Sequence, residues 1–485
     1  MPDQFKLDKL GRLAELGINP YPYTYVQTHH SAEIVAGFGK LEGSHASVAG
    51  RIVRLREMGN LYFIDINDSE GKIQIIVKSD VASKESMDLL KLTDIGDMIG
   101  VKGKIIKSQR GEVSIEANEI TMLSKSLLTL PEKFHGLKDT ELRYRKRYLD
   151  LIINPKTKEF FSMRAKILSY IRNFLDSKGY IEFETPVLQQ VYGGAFAKPF
   201  RTHYNAIESD VYLRISDELY LKKLIIGGFE KVYEVSKDFR NEDIDSTHNP
   251  EFTQIEMYEA YKDYNDYMKL SEELLGGLVK TLFGSTEITY QGKTLSFRHP
   301  FRRVYWVEEL KKKTGIDVSE MDDDAAKRIA EKEKLDIRIK NNYHVADALF
   351  DKYIKPELTD PAFVVDFPSY MCPLTKDKRG NGKLSERFEL FVAGFEEGNC
   401  YSELTNPIEQ RKKLEAQEKE RKKGDDEAPP FDSDFVEAME YGMPPTAGLG
   451  LAIDRLSMIL TDNVSIKEVI AFPAVRPEKS KPTDK

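Results

Sequence analysis

The spacing of hydrophobic and polar positions changes several times along the chain. The first forty residues carry the apolar spacing of one or two helices, with a loose Pro/Tyr stretch from Asn19 to Tyr25. From Ser47 to about Leu123 the pattern becomes short β runs divided by turn residues: ASVAGRIVRLR, NLYFIDIND, GKIQIIVK, DMIGVKGKII and GEVSIEANEITML. Strand alternation turns Ile64, Ile66, Ile73, Ile75, Val113 and Ile115 inward and Phe63, Gln74 and Glu112 outward. Residues 131–150, PEKFHGLKDTELRYRKRYLD, read as a basic, polar linker whose RYRKRY is either solvated or in touch with a nucleic-acid backbone. Helical spacing returns in MRAKILSYIRNFLDSKGY, where Ile167, Tyr170, Ile171 and Phe174 make one stripe. Gly179 ends that helix, and IEFETPVL follows as a strand ending at Pro186. Between about Pro300 and Thr359 the pattern is helical and charged, with TGIDVSEMDDDAAKRIAEKEK as a small helical insertion. Arg411 to Pro430 reads as a surface helix and loop without chemistry.

Five strands with one helical interruption, around Ser83 to Leu92, predict a small closed barrel of the OB kind. Basic and acidic residues balance between positions 40 and 125, so charge alone does not mark this barrel as an RNA binder. Over the whole chain of 485 residues, 72 Lys and Arg against 80 Asp and Glu leave a net charge of −8, which excludes a globally basic nucleic-acid coat. With 40% hydrophobic and 31% charged residues the composition is that of a soluble globular protein of several domains. No apolar run approaches the roughly 18 residues of a membrane span, and the N-terminus lacks the apolar core of a secretion signal. The two cysteines, Cys372 and Cys400, form no CxxC pattern, which argues against a disulfide framework or a zinc site and for a reducing, cytoplasmic location.

Neither GxxxxGK[ST] nor GxGxxG between a strand and a helix occurs, nor HExxH or GxSxG, so a nucleotide would be held without the commonest phosphate loops. The segment richest in chemistry is KVYEVSKDFRNEDIDSTHNPEFTQIEMYEAYKDY, residues 231–264, which reads as strand, polar turn and strand. Period two puts Glu234, Ser236, Asp238 and Arg240 on one face of the first strand, and Phe252, Gln254, Glu256 and Tyr258 on one face of the second. His248 sits in the turn. Mixed charges and aromatic rings, alternating with Val235, Ile255 and Met257, make this hairpin a candidate ligand floor.

At these residues the chain resembles the class II aminoacyl-tRNA synthetases, and among them the lysyl-tRNA synthetases. FRNE followed by HNPEFTQIEMYEAY is similar to the family's motif 2. MRAKILSYIRNFLDSKGYIEFETP resembles motif 1, the family's dimer interface, and GLGLAIDRLSMILTDNVSIKEVIAFPAVRP resembles motif 3. Further similarity lies in LPEKFHGLKDTELRYRKRYLDLI, GGAFAKPF, RISDELYLKKLIIGGF and ERFELFVAGFEEGNCYSEL, so that it runs in the family's order from about residue 45 to residue 477. Asp243 stands where the family usually has glycine, and Cys372 where serine is common.

The resemblance implies an α+β chain: an N-terminal helical extension over 1–44, an OB-fold anticodon-binding domain over 45–125, a linker over 126–155, and a class II catalytic domain over 156–485 built on an antiparallel sheet flanked by helices, with its insertion at about 300–359. It implies a lysine–tRNA ligase that forms lysyl-adenylate from ATP and L-lysine and passes the lysine to tRNA(Lys), working as a homodimer. Arg240 and Arg455 would be catalytic. Arg240, Glu242, His248, Phe252, Glu389, Glu396, Gly450 and Arg455 would bind ATP, with Phe252 under the adenine, and Gly448 and Gly450 would let the backbone bend ahead of the helix bearing Arg455. Lysine would lie among Gly194, Glu218, Arg240, Glu256, Tyr258, Asn399 and Glu403; Arg56, Phe63, Gln74 and Glu112 would read the anticodon. Glu389 and Glu396 would hold Mg2+, which pyrophosphate as a leaving group calls for, and no zinc is expected. An aspartate- or asparagine-specific enzyme would need a basic or neutral pocket in place of Glu256 and Glu403. A lysine-adenylating protein-modifying relative would lack the barrel, and a decayed RNA-binding scaffold would lack the set Arg240, Glu389, Glu396 and Arg455.

Overall fold

A computed structural model describes residues 2–131, 139–338, 341–422 and 427–477, in two compact units that divide after Lys138. The first unit opens with the helices Gln4–Glu15 and Ser31–Leu41. Asp3 caps the former by accepting from the Phe5 backbone N–H. Strands His45–Met58, Leu61–Asn67, Lys72–Lys78, Met98–Lys107 and Val113–Ser124 close into a barrel in which the third and fifth run parallel. Helix Lys84–Leu90 joins the third strand to the fourth, starting from a Ser83 cap. Ile64, Ile66, Ile73, Ile75 and Ile115 fill the barrel as the alternation predicts, while Val113 at a strand end is half-buried.

The second unit is built on one large sheet. Its strands lie in the order Arg302–Tyr305, Ala362–Pro368, Asn381–Val392, Phe395–Ser402, Thr446–Ala452, Glu251–Ala260, Lys231–Phe239 and Ile181–Glu182. Pairing is antiparallel through the middle of this path and parallel only at its two edges. One face packs on helices Pro155–Ser177 and Tyr264–Phe283 through Ile167, Ile171, Ile255, Met257, Leu274, Leu390 and Leu449, giving the main core. A second core gathers around Trp306, Leu349 and Phe367 beneath helices Trp306–Thr314, Asp323–Glu333 and Asn342–Tyr353.

Three sequence expectations change here. The strand expected from Ile181 to Pro186 pairs over Ile181–Glu182 alone, because it is the parallel edge of the sheet and Pro186 has no N–H to extend the ladder. The RYRKRY segment lies in two short helices, Thr140–Arg145 and Arg147–Ile153, within the second unit. Arg147 is fully buried with its guanidinium 2.7 Å from Asp150, and Arg143 pairs with Asp150 and Glu468 at 2.9 Å each, so these two cations are committed to the fold; residues 132–138 of the expected linker lie outside the described residues. The 300–359 region is not purely an insertion: it begins with Arg302–Tyr305, a strand of the main sheet.

Candidate active site

The open face of the sheet carries a cavity of about 530 Å³. Cross-strand register explains its contents. Glu234 pairs with Glu256, Glu256 with Gly450, Gly450 with Asn399 and Asn399 with Glu389, so one row across five strands presents its side chains to the same side. The next rows pair Ser236 with Gln254, Asp238 with Phe252, and Tyr258 with Gly448 and then Tyr401. Residues scattered over more than two hundred positions thus become neighbours.

Two glycines give the floor its depth. A Cβ on Gly448 would lie 2.2 Å from Tyr258 Cε1 and 2.5 Å from Glu403 Oε1, whereas one on Gly450 would meet nothing nearer than Glu256 Cγ at 3.8 Å and would project into the cavity. Both sit inside strand Thr446–Ala452, and neither has the left-handed backbone that a tight bend requires. The expected reason for these glycines is therefore corrected: they serve close approach and open space. Gly194 does have φ +87, and a Cβ there would fall 2.7 Å from Ser216 Oγ and 3.1 Å from Glu218 Cβ.

At one end of the cavity the Arg240 guanidinium lies 5.0 Å from the centre of the Phe252 ring. Asp454 opens helix Ile453–Leu460, accepts from the Thr253 N–H at 2.9 Å and pairs with Arg164 at 2.5 Å, fixing the helix that carries Arg455 against the hairpin. Arg455 donates to the Glu396 carbonyl at 2.9 Å and to His248 Nε2 at 3.1 Å. His248 Nδ1 faces Asp245 Oδ2 at 2.8 Å; that carboxylate also accepts the Thr247 and His248 N–H groups and is held down at about 2. Asp245 fixes the imidazole so that Nε2 is the acceptor. Glu242 and Asp243 are exposed at the cavity mouth.

The middle of the floor is acidic and largely buried. Glu256 accepts from Ser216 Oγ at 2.9 Å, Gln254 Nε2 at 2.6 Å and Tyr258 Oη at 2.9 Å. Burial, followed by the charges of Glu218 and Asp238, nevertheless pushes its pKa up to about 8. Glu389 is likewise raised to about 8, by burial first and then by Glu396, against the pull of Arg387. Arg387 donates to Glu389 at 2.6 Å and to Asn399 Oδ1 at 3.0 Å, which leaves the Asn399 amide N–H groups as the donors of that side chain. Glu397, beside Glu396, is buried with no hydrogen-bond partner for either carboxylate oxygen among the described residues.

Several of the expected site residues are brought together: Gly194, Glu218, Arg240, Glu242, His248, Phe252, Glu256, Tyr258, Glu389, Glu396, Asn399, Gly450 and Arg455 all line the cavity. Glu403 is the exception. It is fully buried outside the lining and forms an ion pair with Lys222, whose ammonium also lies 2.5 Å from Glu218. Glu234 and Asp238, read as parts of the ligand floor, turn to Arg214 at 2.6 and 3.1 Å and do not line the cavity. Lys222 and Arg214 escaped sequence reasoning, although the i,i+4 spacing of Glu218 and Lys222 in a short apolar helix was a usable signal. Also missed were Arg387, Tyr343 from helix Asn342–Tyr353, and Gln417 from helix Pro407–Lys422, a segment expected to be chemically silent. Lys222→Met leaves Glu403 buried without its cation, so unfolding free energy in urea should drop by about 3–5 kcal/mol.

In the barrel, Arg56 and Phe63 are cross-strand partners on the outer face, with the guanidinium 5.8 Å from the ring centre. Phe63 is half-buried instead of fully exposed, and Gln74 is covered, donating to Glu112 at 3.1 Å and accepting from Ser114 at 3.1 Å. The outer face therefore has one ring with a cation on it and one amide already committed to an exposed carboxylate.

Residues 139–476 match the family described as tRNA synthetases class II (D, K and N), and residues 46–123 match the OB-fold nucleic acid binding domain. The chain belongs to the class II tRNA synthetases. It is also 47% identical, over 98% of its own length and 94% of the relative's, to lysine–tRNA ligase 2 of Methanosarcina mazei. Identity is 46% to the lysine–tRNA ligase of Clostridium novyi and 45% to that of Moorella thermoacetica, covering 98% of this chain and 94% and 97% of those proteins. Within its class the chain falls in the lysine–tRNA ligase family.

Proposed function

We propose that this enzyme activates L-lysine with ATP and transfers it to the 3′ end of tRNA(Lys). The observation that carries the reading is the pairing, in one cavity, of two buried carboxylates, Glu256 and Glu218, with two arginines, Arg240 and Arg455. The acids suit the ammonium groups of lysine, and the arginines suit the phosphates and the α-carboxylate. An aspartate or asparagine side chain would gain nothing from Glu256.

In the proposed reaction Gly194 and Glu218 hold the α-ammonium, Asn399 donates to the α-carboxylate, and Glu256 with Tyr258 receives the ε-ammonium. Glu403 acts indirectly, by keeping Lys222 in place behind Glu218. The lysine carboxylate attacks the α-phosphorus in line and pyrophosphate leaves; Arg240 neutralises the charge that grows there. The adenine stacks on Phe252, Arg455 covers it, and Glu242 and His248 meet the outer parts of the nucleotide. In the second step the terminal ribose hydroxyl of tRNA attacks the lysyl carbonyl and AMP departs. Positioning and charge stabilisation suffice, with no covalent enzyme intermediate.

The half-buried Glu389 and Glu396, whose charges repel, fit a hard divalent cation, and Mg2+ held there would neutralise pyrophosphate charge. Among the described residues no helix is long and apolar enough to cross a membrane, in keeping with a cytoplasmic site of translation. Exposed Ile181, Val187 and Leu188, which follow helix Pro155–Ser177 in the chain, support a homodimer through that region, which sedimentation velocity reads directly.

Pyrophosphate exchange measured with each of the twenty amino acids tests the assignment. Lysine alone should support it, and equal exchange with aspartate would overturn it. The barrel is tested separately. Phe63→Ala should cost about 1–3 kcal/mol of base stacking, weakening tRNA aminoacylation while lysine-dependent exchange stays intact. Equal losses in both reactions would mean that the barrel supports the fold and does not read the anticodon.

A further inference from the structure

Beneath the floor lie carboxylates that the adenylation chemistry does not use. Asp217, which precedes helix Glu218–Ile226, and Asp238, near the end of strand Lys231–Phe239, are fully buried and stand outside the cavity lining. Glu256 belongs to the floor itself. One oxygen of each of these three lies within 4.8 Å of the others. Oxygen ligands of a single Mg2+ or Ca2+, at about 2.0–2.6 Å from the ion, lie up to about 4–5 Å apart, so the three oxygens are close enough to share one ion.

The protein leaves the cluster under-compensated. Asp217 Oδ2 has no hydrogen-bond partner among the described residues. Ser236 Oγ is 3.4 Å from Asp217 Oδ1 and 3.2 Å from Asp238 Oδ2, and its single proton serves only one of them. Arg214 pairs with Glu234 and Asp238 and makes no ion pair with Asp217 or Glu256. Full ionisation of Asp217, Glu234, Asp238 and Glu256 against Arg214 and the nearby Arg240 would leave two negative charges over, and without a cation burial and mutual repulsion hold Asp217 and Glu256 towards their protonated forms. Buried carboxylates of this kind take up a proton, a cationic partner or a metal.

We propose that Asp217, Asp238 and Glu256 hold a hard divalent cation of the Mg2+ or Ca2+ class under the amino-acid pocket, separate from any cation that accompanies ATP. All the donors are oxygens, with Ser236 Oγ beside them, which suits these ions over softer metals. Two charges on the ion match the two that full ionisation would leave over. Anchored from below, Glu256 keeps one oxygen towards Tyr258 and the cavity, so the ion orients the floor carboxylate. The inference shares Glu256 with the lysine-site reading, and the test below omits both lysine and ATP so that the two can fail separately.

The full-length protein carrying Glu389→Gln and Glu396→Gln, stripped with chelator, isolates this site from the ATP-linked carboxylates. Ca2+ alone should raise its melting temperature, because a ligand that binds only the folded state stabilises it. Tb3+ should bind at one ion per chain with luminescence excited through tyrosine, since Tyr258 Oη lies 2.9 Å from Glu256, and Ca2+ should displace it. Adding Asp217→Asn, of the same shape, should weaken Tb3+ at least tenfold and cancel the Ca2+ shift; Asp238→Asn is the second variant should the first misfold. No Ca2+ shift in the parent, or an undiminished one in both Asn variants, overturns the proposal. So does a rise in melting temperature on Asp217→Asn at pH 8 with no metal response, which would make the compensating cation a shared proton.

Discussion

Glu256→Gln should lower lysine-dependent pyrophosphate exchange by at least a hundredfold, with ATP binding almost unchanged. The pocket isolates this carboxylate from water, and breaking a buried charge pair by neutralising one partner costs about 3–5 kcal/mol. In the proposed lysine site the partner is the substrate ammonium, so the loss should appear in lysine use. The same residue gives a pH signature. With its pKa at about 8 in the pocket free of both lysine and metal, Glu256 is protonated at pH 7 in chelator-treated enzyme, and a bound ammonium favours the ionised form. Lysine binding therefore releases a proton, and KM for lysine should fall as pH rises towards 8, by at most about tenfold per pH unit. Above pH 8 the profile should level. In the Gln variant this slope should vanish; near-normal exchange, or an unchanged slope, would place the ammonium elsewhere.

Replacing Glu389 and Glu396 together by Gln should remove most adenylation, about a hundredfold or more, since a cation at developing phosphate charge is worth several kcal/mol. The fold should survive. The amide introduced by Glu389→Gln keeps an oxygen to accept from Arg387, the donor that holds Glu389 at 2.6 Å, and the repulsion between the two carboxylates disappears. The sign of the pH effect follows from Glu389. Its pKa is about 8 in the folded protein against an ordinary 4.5, so between these values the folded state binds a proton that the unfolded chain does not. Stability of the ligand-free enzyme should therefore decline as pH rises from about 5 to 8. The double variant should lack the part of this decline due to Glu389. Melting curves across that window, together with exchange measured against magnesium concentration, check both effects. Unchanged exchange at limiting magnesium would move the metal to other carboxylates, with Asp347 and the buried Glu397 in the same cavity lining as candidates.

Much of the architecture was legible without coordinates because it depends on local period. In the barrel strands the alternation puts Ile64, Ile66, Ile73 and Ile75 in the core and Phe63 on the opposite face, and the stripe through Ile167 and Ile171 is a helix face. The hairpin floor was legible for the same reason: period two fixes which of Phe252, Gln254, Glu256 and Tyr258 share a side whatever packs around them. Motif resemblance then supplied identities that spacing alone cannot give.

Register between distant strands and the pairing of buried charges were decided only in three dimensions. Gly448 looks like a turn residue in sequence, and only the approach of Tyr258 and Glu403 shows why a side chain is excluded there. Glu403 reads as a pocket acid until Lys222, from a helix nearly two hundred residues away, takes up its charge. Arg214 likewise removes Glu234 and Asp238 from the ligand floor, and Arg387 fixes how Asn399 points. A sequence specifies which side of a strand a carboxylate occupies, because that depends on backbone geometry one residue at a time. It does not show which carboxylates remain free for substrate, because neutralising a buried charge depends on whichever opposite charge the tertiary fold carries to within a few ångströms.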